Sequence, residues 1–208
     1  GRKGLGVRAD DLVDALLQRA EEEIRRRNPD EDAARVKETA RRIAVGALRY
    51  YMLRFSRNRV VAFDLDDALA FEGETGPYLQ YSVVRARNIL AKLAERRGAE
   101  ESDAAWLAAH VELDGMSVDN VANLWEIPLL LARTDAVLRQ AVDSLELASV
   151  AKHAYVLAQP FNSFSPRSPV AKEDDPVTRR VRAAVTRLYL DGMTHLLGLM
   201  GIEVPDRM

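Results

Sequence analysis

The 208-residue sequence contains no cysteine, which excludes disulfides, thiolate chemistry and Cys-type zinc sites and fits a reducing compartment. No apolar run approaches the roughly 20 residues needed to cross a bilayer, and the first residues lack the apolar stretch of a secretory signal. A soluble, cytoplasmic protein is the expectation. With 11 glycines and 8 prolines the chain has too few of either for a fibrous or linker-rich protein. Its three histidines, His110, His153 and His195, lie far apart without a second ligand at metal-binding spacing, and no Gly-x-Ser-x-Gly elbow occurs. A metal or hydrolase centre is therefore not expected. The formal charge of −2 gives no bulk preference for any partner, so the placement of Lys and Arg is the useful quantity.

What is abundant is Ala, Leu, Arg and Glu, which favours helix, and a 48% apolar share is enough to build a core. Apolar spacing predicts a first helix capped by Asp10 or Asp11 and ended by Asn28 and Pro29. It predicts a second from about Asp30 to Asp32 through Gly46 to Met52. Gly46 costs roughly 1 kcal/mol relative to Ala inside a helix, so it suggests a close helix crossing. Val60–Leu65 reads as a short extended piece, followed by an Asp-rich turn at Asp64, Asp66 and Asp67. Later helices are expected around 104–111, from Asp119 with a kink or restart at Pro128, over 135–145, over 148–161 and over 176–199, with a long loop at 163–175. The sum is an all-α protein of about seven helices in two bundled modules, divided near residue 72.

The most informative stretch is Phe71 to Asn88, FEGETGPYLQYSVVRARN. Gly73 and Gly76 permit a tight turn, and Pro77 suits a first helical position behind a Thr75 or Gly76 cap. Leu79, Val83, Ala86, Leu90 and Leu93 form an apolar stripe, leaving Tyr78, Tyr81, Arg85 and Asn88 on other faces. Aromatic rings beside cations are what splayed, single-stranded RNA bases require, with stacking worth roughly 1–3 kcal/mol per base. Other basic clusters, Arg41 to Arg59 and Arg179 to Arg187, read either as solvated helix faces or as phosphate contacts.

This stretch, preceded by FSRNRVVAFDLDDAL and joined by VGALRYYMLRFSRN, AKHAYVLAQPFNSF and the closing LGLMGIEVPDRM, resembles the C-terminal part of arginyl-tRNA synthetases, which are class I aminoacyl-tRNA synthetases. The opening GRKGLGVRADDLVDAL is similar to the segment after the Met-Ser of that family's KMSKS-type loop. The resemblance implies that residues 1–72 complete a catalytic core with stem-contact helices and that 73–208 form a DALR-type anticodon-binding bundle. It implies tRNA(Arg) as partner, bound at the anticodon loop and inner arm, with no DNA or membrane and a monomeric state. The implied RNA-binding residues are Tyr78, Tyr81, Arg85, Asn88, Asn162, Arg207 and Met208.

The family's enzymes join arginine to tRNA with ATP and magnesium. The nucleotide-binding fold and its HIGH-type motif lie upstream of the matching region, so this stretch alone is expected to be inactive and to bind no cofactor. Arg2 and Lys3 would be the basic tail of the phosphate-holding loop. One departure is Ser165, where the family pattern after Phe161, Asn162 and Phe164 has tyrosine. The competing reading is a helical protein-interaction module whose arginines only solubilise it.

Overall fold

A computed structural model describes residues 8–114, 124–167 and 169–208. Among these residues the secondary structure is helical, with no strand. The α-helices are α1 (Ala9–Arg27), α2 (Ala33–Leu53), α3 (Leu65–Leu69), α4 (Gly76–Arg97), α5 (Ala104–His110), α6 (Glu126–Ala132), α7 (Thr134–Ser144), α8 (Ala148–Arg167) and α9 (Pro176–Leu199).

Local chemistry explains most boundaries. Asp32 accepts from the amides of Ala34 and Arg35 to start α2, Thr75 Oγ1 accepts from the Tyr78 amide to start α4, and Asp175 accepts from Thr178 to start α9. Pro77 and Pro176 both sit in the first turn, where a missing N–H costs nothing. The same reasoning applies to Pro128, which lies in the first turn of the helix Glu126–Ala132.

Three sequence expectations change. Arg8, not Asp10 or Asp11, is the cap residue of α1, and both aspartates fall in the first turn, where they complement the helix dipole. Residues 60–64 pair with no strand. Val61 and Phe63 instead lie against α2, Phe63 with its ring 4.5 Å from that of Tyr51, and the Asp-rich segment is the short helix α3, capped by Asp64. The loop expected at 163–175 is shorter, because α8 runs through Pro160 and Pro166 to Arg167. Burial of Leu157, Phe161 and Phe164 against α9 overrides the proline signal. The expected Asp119 cap and Val121 lie outside the described residues.

The main core joins α4 (Leu79, Val83, Ala86), α8 (Ala154, Leu157, Phe161) and α9 (Val185, Tyr189, Met193), with Tyr50 entering from α2. Full burial of each large side chain contributes about 1.5–3 kcal/mol. Phe161 stacks flat on Tyr189 at 3.8 Å between centroids. The Tyr189 hydroxyl lies 2.5 Å from Ser82 Oγ, which donates to the Leu79 carbonyl, so these buried polar groups are satisfied. A second cluster packs α1 on α2 through Ala20, Ala40 and Ile43. Where α2 crosses α4, a Cβ on Gly76 would run into the Gly46 carbonyl oxygen, so the close approach expected of Gly46 is real and Gly76 shares it.

After α9 the chain turns sharply. Gly201, at φ +68°, donates to the Gly198 carbonyl and Ile202 to Leu197, a Schellman closure that satisfies the last turn. The tail then runs back across α4 and α2, with Ile202 and Pro205 buried, and Met208 packs against the α1–α2 cluster.

Candidate nucleic-acid interface

Tyr78, Tyr81, Arg85, Asn88 and Lys92 follow one another at three- and four-residue intervals, so they share one face of α4. The stripe Leu79, Val83 and Ala86 holds the opposite side in the core. Tyr81 is 37% exposed, and the Arg85 guanidinium lies 5.5 Å from its ring. Tyr78 is half-buried and packs on the core, its ring 5.8 Å from that of Tyr155 on α8. The Lys152 ammonium stands 5.6 Å from the Tyr155 ring and 3.9 Å from Glu74. Sequence reasoning missed Tyr155 and Lys152. Their three-residue spacing on the outer side of the buried Ala151, Ala154 and Ala158 was the available signal.

Farther along α4, Asn88 and Lys92 line a cleft of about 870 Å³ that α1, α2 and the carboxyl tail complete. Arg207 and Met208 line it from the tail, and Phe71, with Arg27 4.9 Å over its ring, from the segment before α4. The cleft thus joins Asn88, Arg207 and Met208, three of the residues singled out from sequence. Tyr78, Tyr81 and Arg85 stand on the same helix face but do not line it. Asn162 is elsewhere, half-buried on α8 with both amide atoms sealed from solvent and no hydrogen-bond partner among the described residues. The Ser165 hydroxyl is in the same condition. Arg2 and Lys3 lie outside the described residues.

Around the cleft several charges are already committed to each other. Arg26 first, then Arg27, hydrogen-bonds Glu23 and brings its carboxyl down to about 2, and Arg41 and Arg42 do the same to Glu38, also to about 2. These carboxylates therefore stay ionised near neutrality. Lys92 and Arg207 are exposed at the rim.

The other basic clusters divide. Arg179 and Arg182 are buried and engaged internally, Arg179 at 2.8 Å from Glu101 and Arg182 at 2.5 Å from Glu173. The Arg179 hydrogen bond holds the Glu101 carboxyl below its usual range. Arg54 bonds Asp67 at 2.6 Å, and Arg49 donates to the Gly201 carbonyl at 2.6 Å. These arginines tie elements together and are not an open basic face. Among the described residues no His/Cys/Asp/Glu group is arranged to hold a metal, and no helix is long and apolar enough to cross a membrane.

Comparison with known proteins identifies the family and the fold. The family model of the DALR anticodon binding domain matches residues 79–208. The chain is 33% identical over 209 residues to the arginine–tRNA ligase of Lactococcus lactis subsp. cremoris (strain MG1363), covering all of this chain and 34% of that protein. It is 32% identical over 217 residues to the arginine–tRNA ligase of Pyrococcus furiosus, covering 32% of it. The chain thus spans about one third of the length of the curated relatives it matches.

Among solved structures, Thermus thermophilus arginyl-tRNA synthetase superposes with a TM-score of 0.81 at 26% identity, over 98% of this chain and 32% of that one. The arginyl-tRNA synthetase of Plasmodium falciparum shares the fold, with a TM-score of 0.73 at 18% identity over 97% of this chain and 34% of its own. With an all-helical bundle, an aromatic and cationic α4 face and a family match over most of its length, the chain belongs to the DALR anticodon-binding domain family and corresponds to the C-terminal third of arginyl-tRNA synthetases.

Proposed function

We propose that this chain is the tRNA-recognition portion of an arginine–tRNA ligase, with residues 1–72 forming the stem-contact end of the catalytic core and 73–208 binding the anticodon loop of tRNA(Arg). The observation that carries this reading is the continuous face of α4, in which Tyr78, Tyr81, Arg85, Asn88 and Lys92 lead into the cleft rimmed by Arg207 and Met208. Splayed anticodon bases stack on the tyrosines, cations meet phosphates, and the amide of Asn88 and the tail contact base edges in the cleft. Tyr155 and Lys152 extend the aromatic surface at the start of α4. Asn162, with an amide free to bond, belongs to the site only if the wall of α8 opens on binding.

The ligation reaction, with its ATP and magnesium, is assigned to the nucleotide-binding fold that lies upstream of the matching region in the family's enzymes. The chain acts in the cytoplasm as a monomer, and its contribution is to hold the tRNA so that the acceptor end reaches a distant active site. The test is tRNA binding as a function of salt. A log–log slope of several, as expected when several phosphates are neutralised, supports the reading. A flat response, or no affinity for tRNA, would favour a protein-docking module instead.

A further inference from the structure

Gln80 is fully shut from solvent where α2, α4 and the carboxyl tail meet. Its Nε2 donates to the Arg42 carbonyl at 2.9 Å and to the Glu203 carbonyl at 2.7 Å. One amide group thus clips the tail to α2 from a seat on α4. Its Oε1 is equally sealed and has no partner among the described residues. A buried acceptor left unmatched is destabilising, so an apolar side chain would serve packing better here than this amide does.

Room for the amide depends on Gly46, where a Cβ would lie 2.5 Å from Gln80 Nε2. Beside the burial of Ile202 and Pro205, the remaining polar ties on the tail are longer or exposed. Arg42 reaches the Val204 carbonyl at 3.3 Å, Arg87 reaches that of Pro205 at 3.4 Å, and the Arg41–Glu203 ion pair is open to water. Exposed pairs are screened and contribute little, whereas short hydrogen bonds from a donor that is itself shut from solvent fix register. Arg207 and Met208 follow Glu203 by only a few residues, so the position of the Glu203 carbonyl limits where both can stand at the cleft.

We propose that Gln80 is a positioning residue that latches the carboxyl tail across α2 and α4 and so sets Arg207 and Met208 at the rim of the cleft. The second half rests on the cleft being the RNA site. Gln80 itself touches no RNA.

The test compares the unaltered chain, Gln80→Met, a chain lacking residues 206–208, and the two changes combined. Carboxypeptidase release of Met208 and Arg207, timed by mass spectrometry, reads the latch without RNA. Gln80→Met should speed release about tenfold or more, the size that two lost neutral hydrogen bonds imply. Affinity for tRNA should fall about tenfold with Gln80→Met in the intact chain and stay unchanged by it once 206–208 are gone, because the substitution then has no Arg207 or Met208 to misplace.

Unaltered release rates would overturn the latch, and an equal loss of affinity with and without the tail would reduce Gln80 to a packing residue. If Gln80→Met fails to fold, Gln80→Asn, whose amide is too short to bridge both carbonyls, enters the same comparison with the same expected outcomes. Absence of tRNA binding by the unaltered chain would sink the RNA reading and the second half of the proposal with it, while the release rates still decide the latch.

Discussion

Tyr81 separates binding from folding better than Tyr78 does. Both stand out in the sequence as stacking residues, but Tyr78 leans on the core and on Tyr155, so its truncation removes packing as well as a stacking surface. Tyr81 is 37% exposed and its ring meets Arg85. Tyr81→Ala should weaken tRNA binding by about 1–3 kcal/mol while changing unfolding free energy by no more than about 0.5 kcal/mol. Filter binding alongside denaturant titration checks both halves, and an unchanged affinity would remove Tyr81 from the interface.

Gly76 makes the opposite kind of prediction, in which folding alone is hit. Its would-be Cβ meets backbone of α2 that cannot rotate away, so Gly76→Ala should destabilise by about 1–3 kcal/mol as an overpacking change. Equilibrium unfolding is the measurement. A neutral outcome would mean that α2 and α4 can separate freely at this crossing.

At the scale of elements, the junction of α6, α7 and α8 contains a titrating group. His153 on α8 is buried, its Nε2 3.1 Å from Thr134 Oγ1 at the start of α7. Burial first, and the nearby Arg133 charge second, push its imidazole below the ordinary value. The folded protein therefore favours the neutral ring. As pH falls below about 6.5, the unfolded chain takes up a proton that the folded chain resists, and stability declines. Above that value His153 contributes no pH dependence. Thermal midpoints across pH 5 to 7.5 should show this loss on the acid side, and His153→Gln should flatten it. A variant with the same acid slope as the unaltered chain would assign the slope to other groups.

Element boundaries were legible in sequence wherever a capping side chain acts within a few residues. Of the starts read as Asp30 to Asp32 and as Thr75 or Gly76, Asp32 and Thr75 are the caps, and Asn28 ends α1 just before Pro29. The reading failed where distant packing outweighed a local signal. Pro166 argues for a loop from residue 163, yet α8 continues to Arg167 because Phe161 and Phe164 gain more by burial in the core than the chain loses in hydrogen bonds. Val60–Leu65 stays outside any helix up to residue 64, as its extended pattern suggests, and only the contact of Val61 and Phe63 with α2 had to come from the tertiary structure.

At the scale of the whole molecule, the two proposed functional parts share burial. Tyr50 of α2 sits in the main core with α4, α8 and α9, its hydroxyl donating to the Ala151 carbonyl at 3.1 Å, and the carboxyl tail bonds to α2 and α4 together. Residues 1–72 and 73–208 should therefore unfold in one cooperative transition despite distinct roles. Calorimetric and van't Hoff enthalpies should agree. Two resolved transitions would mean that the α2–α4 contact is weaker than its burial implies.

The helical class, the start of α4 and the kinship with arginyl-tRNA synthetases were written in the sequence by itself, because propensity, caps and apolar period act over short separations and a family's wording survives in linear order. Which residues stand together was not. Asn88, Arg207 and Met208 meet in one cleft while the Asn162 amide is sealed elsewhere on α8, and Arg179 and Arg182, basic in the sequence, are closed off by Glu101 and Glu173. Those outcomes depend on contacts between residues far apart in the chain, where burial and charge pairing are set only once the helices have packed.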